Sequence, residues 1–117
     1  MLDFKDFKIE KTKESPFTTI ILNFTDDELS EEAIRYVSQK IEEYKIYLEY
    51  DCKGEFNIEY KKNALIQLIL TYPDRKIPLD KKDLKNYVMR HVMDFTEYYY
   101  KISYLDNSYQ DDVAEHI

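Results

Sequence analysis

Glycine is almost missing from this chain: Gly54 is the single one in 117 residues, beside three prolines. Tight turns that need a positive φ are therefore scarce, and long regular elements are favoured. A phosphate-cradling glycine loop is excluded, and no Gly-x-Ser-x-Gly, zinc-ligand spacing or calcium-loop pattern is present. Tryptophan is absent, and Cys52 is the only cysteine. One cysteine rules out an intramolecular disulfide and any cysteine-based zinc cluster, and it fits a reducing compartment. No long apolar run occurs either. The longest, Ala64 to Leu70, is interrupted by Gln67 and is too short to span a bilayer. Met1 to Glu10 alternates charged with apolar residues and does not read as a signal peptide. The expectation is a cytoplasmic protein with no membrane association.

What remains is a chain of one-domain size, 44% hydrophobic and 35% charged, enough apolar material for one core. Tyrosine is abundant, with 12 Tyr and 6 Phe. Each Tyr joins apolar area to a hydroxyl and so suits half-buried positions and interfaces. An AT-rich coding sequence would produce the same Lys/Ile/Tyr/Asp/Glu bias.

The net charge of −7 is unevenly spread. Residues 26–59 carry eleven acids against four bases, and residues 94–117 six acids against one base. Residues 60–93 reverse this, with eight bases (Lys61, Lys62, Arg75, Lys76, Lys81, Lys82, Lys85 and Arg90) against three acids. Generic nucleic-acid binding is disfavoured, because phosphate contacts need a basic field. The acidic segments suit a basic partner, whose encounter opposite fields would speed. A solvated helix face would be equally acidic.

Periodicity predicts the elements. Phe7, Ile9 and Lys11 alternate with Lys8 and Glu10, giving a strand over about residues 4–11. Ser15-Pro16 breaks it. Phe17 to Phe24 is a second strand with Thr18, Ile20, Leu22 and Phe24 on one face. Two helix starts compete: Thr25-Asp26-Asp27-Glu28 has the form of a capping box, and Ser30-Glu31-Glu32 stands one turn later. Ile34, Val37, Ile41, Tyr44 and Leu48 then form an amphipathic stripe, so the helix is expected to run to about Asp51 and to stop at Gly54. The rival reading takes residues 45–51 as a strand, since Ile46, Leu48 and Tyr50 also alternate.

Glu55 to Tyr60 predicts a strand with Phe56, Ile58 and Tyr60 inward. Ala64 to Tyr72 predicts a central one with Ala64, Ile66, Leu68, Leu70 and Tyr72 inward. Asp80 can cap a second helix whose stripe is Leu84, Val88, Val92 (or His91), Phe95, Tyr99 and Ile102. The order is ββαββα: an α+β fold with a four-stranded antiparallel sheet and two amphipathic helices packed on one face. Residues 1–105 form one domain, and residues 106–117 read as a polar C-terminal tail.

Catalytic constellations are weak. Cys52 could pair with His91 or His116 only by arithmetic, and a helix C-terminus, where Cys52 is expected, does not lower a thiol pKa. His91 and Asp94 are spaced i, i+3, but two ligands do not make a metal site. The adjacent acids Asp26-Asp27, Glu31-Glu32, Glu42-Glu43 and Asp111-Asp112 diverge by about 100° on a helix and do not converge on one substrate atom. No catalysis, cofactor or metal is expected.

The strongest interaction feature combines aromatic and acidic residues. Tyr98-Tyr99-Tyr100 sweeps roughly 200° around a helix, so all three cannot enter one core. Tyr36, Tyr47 and Tyr50 stand off the first helix stripe beside Glu32, Glu43 and Glu49. Exposed Tyr rimmed by carboxylates is binding-face chemistry. The expected partner-binding set is Glu32, Glu43, Glu49, Asp94, Glu97, Tyr98 and Tyr100. The expectation is a non-catalytic acidic binding protein, an inhibitor or immunity-type protein that blocks a basic, nucleic-acid-handling surface of another protein. In general character it is similar to toxin-immunity proteins and phage-encoded inhibitors of bacterial defence. The alternative is a homo-oligomeric structural or assembly protein, with the Tyr-rich helix as a homodimer seam.

Overall fold

The computed structural model describes the backbone of residues 2–44, 48 and 52–116, and side chains within these as far as residue 102. Four strands, β1 (Leu2–Lys11), β2 (Phe17–Asp26), β3 (Lys53–Tyr60) and β4 (Ala64–Pro73), and two helices, α1 (Glu31–Glu42) and α2 (Lys81–His116), follow in the order β1-β2-α1-β3-β4-α2. The strands form one antiparallel sheet, β1-β2-β4-β3, in which the two most apolar strands occupy the centre. A strand as apolar as β4 needs neighbours on both edges and cover on one face, and it receives both.

Alternation decides which face is covered. Thr18, Ile20, Leu22 and Phe24 of β2 and Ala64, Ile66, Leu68, Leu70 and Tyr72 of β4 are all buried. They share one core with Val37 and Ile41 of α1 and with Val88, Val92, Phe95, Tyr99 and Ile102 of α2. Helix α1 packs against β3 and α2, and α2 also against β1. The predicted stripe of α2 is therefore core, as is that of α1 from Val37 onward, whereas Ile34 is half-buried and outside the core cluster; the predicted α+β architecture is the one observed.

The opposite face mixes half-buried Ile21, Leu65 and Ile69 with polar side chains that bond one another. A ladder of side chains crosses all four strands: Asn23 Nδ2 donates to Asp6 Oδ1 (2.7 Å), Gln67 Nε2 to Asn23 Oδ1 (3.0 Å) and Asn57 Nδ2 to Gln67 Oε1 (3.2 Å). These residues lie opposite one another in register, and such cross-strand pairs stabilise a sheet.

Several boundaries differ from expectation. β2 continues to Asp26, so Thr25 to Glu28 is no capping box; Ser30 is the cap, its Oγ accepting from the Ala33 amide at 3.1 Å. α1 ends at Glu42 with Glu43 as C-cap, well short of Asp51. Tyr44 is nonetheless buried and Leu48 packs on the core, as the stripe required. The choice of helix or strand for residues 45–51 falls, apart from Leu48, outside the described residues. Gly54 is no helix stop: it lies inside β3 opposite Leu70 and does not adopt a positive φ. Tyr60, expected inward, is 39% exposed, because β3 is an edge strand and Tyr60 ends it. α2 remains helical through His116, where a polar tail was expected from residue 106. Asp80 caps α2 as predicted, accepting from the Asp83 amide at 3.2 Å.

Candidate partner-binding cleft

Helix α1 and the middle of α2 diverge enough to leave a cleft of about 510 Å³ between them. Spacing explains its walls. On α1, Tyr36 and Lys40 stand one turn apart, followed by Glu43 and Tyr44. On α2, Asp94, Glu97, Tyr98 and Lys101 recur at steps of three and four, beside the buried stripe of Phe95, Tyr99 and Ile102. Ile102 completes the lining.

The base of the cleft is aromatic. Tyr44 packs on Tyr98 with ring centroids 5.1 Å apart and meets Phe95 edge-on at 5.6 Å. Tyr98 Oη donates to the Lys40 carbonyl at 2.9 Å, tying α2 to the last turn of α1. The same carbonyl also accepts from the backbone amide of the C-cap residue Glu43, so the Tyr98 hydroxyl uses its second lone pair. Burial pushes the Tyr44 hydroxyl up to about 12, reinforced by the Asp94 carboxylate, so it stays protonated at neutral pH. The rim is charged. Lys40 Nζ lies 3.6 Å from Glu43 and 5.8 Å above the Tyr36 ring. Asp94 and Glu97 are exposed on α2, with Lys101 beyond them. Three carboxylates thus face two ammonium groups over an aromatic floor.

Of the seven residues singled out from the sequence, Glu43, Asp94, Glu97 and Tyr98 line this one cleft. Glu32 is exposed in the first turn of α1, one turn before Tyr36, and does not line it. Tyr100 is 42% exposed and packs edge-on against Tyr99, whose centroid is 6.3 Å away, roughly 200° around the helix from Tyr98. Glu49 lies outside the described residues. Sequence reasoning missed Lys40, Tyr44, Lys101 and Ile102 as cleft residues. The available signal is the i, i+4, i+8 series Tyr36, Lys40, Tyr44, but Tyr44 also belongs to the core stripe, which masks its place in the cleft.

A second cluster lies where β4 ends. The Tyr72 hydroxyl is 3.2 Å from His91 Nε2, and the His91 ring meets Tyr87 edge-on at 4.8 Å. Cys52 does not lie at the end of α1, which stops at Glu42: it immediately precedes β3, its Sγ 3.7 Å from the Lys53 carbonyl. Burial raises the Tyr72 hydroxyl far above its ordinary value, with Cys52 and Tyr87 adding to the effect. The Tyr72 hydroxyl thus lies within hydrogen-bonding distance of His91 and interacts with Cys52. Among the described residues no group of three His, Cys, Asp or Glu is gathered to hold a metal, and no helix is long and apolar enough to cross a membrane.

Compared with known proteins, the chain matches no family model, no curated protein and no solved structure.

Proposed function

We propose that this chain is a non-catalytic acidic binding protein that acts in the cytoplasm by occupying a basic surface of another protein, in the manner of an inhibitor or immunity protein set against a nuclease or other nucleic-acid-handling enzyme. The observation that supports this reading is the cleft between α1 and α2, where Glu43, Asp94 and Glu97 rim a floor of Tyr44 and Tyr98. An Arg or Lys side chain from a partner fits that chemistry: its alkyl stem lies on the aromatic rings, its charge meets carboxylates, and a cation over a Tyr face gains further attraction. The overall charge of −7 adds long-range attraction to a basic partner and repels nucleic acid itself. Glu32, exposed in the first turn of α1, lies outside the cleft and adds to the acidic surface beside it.

The test is co-purification of the tagged chain from its native cells at low and high salt, with mass spectrometry of what is retained. It is run beside the triple variant E43K/D94K/E97K, with circular dichroism as the check on folding. One basic protein is expected with the wild-type chain at low salt. It is shed at high salt and lost by the variant, with at least about tenfold weaker affinity when the pair is remade from purified proteins. A folded triple variant that keeps the same partner equally well removes the cleft from the mechanism.

A further inference from the structure

We infer that this chain forms a two-fold symmetric dimer by pairing β1 with β1 of a second copy, so that two four-stranded sheets become one of eight strands. The inference is independent of the cleft, which lies on the side of α2 that faces α1.

β1 is an edge of the sheet, ten residues long, and among the described residues pairs only with β2. Its outer backbone donors and acceptors form the template that a further strand uses. Charged residues and bulges ordinarily blunt such an edge, and β1 carries both: its one register irregularity falls at Lys5, and Lys8 and Glu10 are exposed. Under two-fold pairing, however, the charges become complementary. Residues directly opposite must share a face, so the axis passes through a residue, not between two. An axis at Phe7 gives the longest overlap of the strand with itself. It sets Phe7 against Phe7 of the second copy on the core face, and Asp6 against Lys8 of the second copy, twice, on the open face. Beyond the extra residue Lys5, Ile9 falls beside Phe4 of the second copy, apolar on apolar. Glu10 then approaches Asp3, and each already has a cation, Lys8 at 3.2 Å and Lys5 at 2.8 Å. Moving the axis to Lys8 instead would oppose two lysines and set Asp6 against Glu10, both repulsive.

Two further features agree with this register. Phe7 is 38% exposed although it sits opposite buried Leu22 on the core face, because among the described residues no strand lies beyond β1. The amide ladder of the open face ends at Asp6, the residue that would meet Lys8 of the second copy. The same axis, perpendicular to the sheet, keeps all helices on one side. It brings the two α2 helices together over the seam, where Met93, 69% exposed, and Tyr100 continue the partly buried Met89 at helical spacing. One isologous contact thus covers an open strand edge and an apolar helix stripe together.

The experiment is sedimentation equilibrium of the full chain across a wide concentration range, with charge-swap variants. Twice the 14.3 kDa chain mass is expected for the wild type. K8D and D6K alone place like charges opposite each other and should each weaken the dimer by about tenfold, while the combined D6K/K8D restores it. In a C52S background, F7C should cross-link to itself on mild oxidation, since the axis passes through that residue. A strict monomer overturns the inference. So does a dimer that tolerates K8D as well as D6K/K8D, or one whose F7C variant stays uncross-linked.

Discussion

Asp26 is the charged residue that most constrains the core. It is 5% exposed at the end of β2, and its carboxylate accepts from Tyr99 Oη at 2.5 Å and from the Glu28 amide at 2.9 Å. Burial alone would raise its pKa, but these hydrogen bonds outweigh burial and hold the carboxyl below the usual carboxylate range. A depressed folded pKa contributes stability that is present above the unfolded value of about 3.9 and lost as pH falls through the folded one. Tyr99→Phe leaves a buried carboxylate short of a donor and should cost about 1–3 kcal/mol at pH 7 in urea unfolding. The penalty should shrink toward pH 3, because the weakened Asp26 is then protonated at little cost. A penalty that is the same at both pH values would mean that the hydroxyl does not act through Asp26. The Tyr triplet is thus divided three ways: Tyr99 anchors a buried acid, Tyr98 ties the helices, and Tyr100 is left exposed.

Element boundaries were where local pattern misled. Two capping signals stood one turn apart in the sequence, and only tertiary pairing chose between them. Asp26 opposite Ala64 prolongs β2 and consumes the first signal as strand. Ser30 then starts α1, with Glu31 and Glu32 in the first turn where the helix dipole favours acids. Ser30→Ala should therefore lower stability by about 1 kcal/mol. Thr25→Ala should show no loss of a helix cap; if it costs as much as Ser30→Ala, the assignment of the start is wrong. Gly54 misled for a related reason. A lone glycine after an apolar stripe reads as a helix stop, yet here it pairs with Leu70 in a strand at an ordinary φ.

Across the whole molecule there is one core. Leu68 has no exposed surface and lies in β4 between Leu22 of β2 and Phe56 of β3. Both helices close over the same cluster, so neither ββα half has a core of its own. Leu68→Ala should cost about 2–5 kcal/mol, and far-UV and near-UV signals should fall together in one transition. Separate transitions for the two halves would contradict a shared core. The acidic and basic segments of the chain are also brought within one domain, so the field an approaching partner meets depends on how the fold mixes them.

The sequence by itself determined the order and class of the six main elements and the inward face of most of them, but not their ends, nor the helical class of residues 106–116. Period 2 in Phe17 to Phe24 and Ala64 to Tyr72, and steps of three and four in Leu84 to Ile102, are local consequences of strand and helix geometry. It also singled out four of the cleft residues, Glu43, Asp94, Glu97 and Tyr98, as standing off the apolar stripes, but not the two lysines or the stripe residues Tyr44 and Ile102. Strand order, the end of α1, and the gathering of Glu43, Asp94, Glu97 and Tyr98 with Lys40, Tyr44 and Lys101 were decided only in three dimensions. Each depends on which surfaces of distant segments meet. Residues 36–44 and 94–102 become neighbours because both helices need the same sheet as a floor, a contact between segments far apart in the chain that no local periodicity encodes.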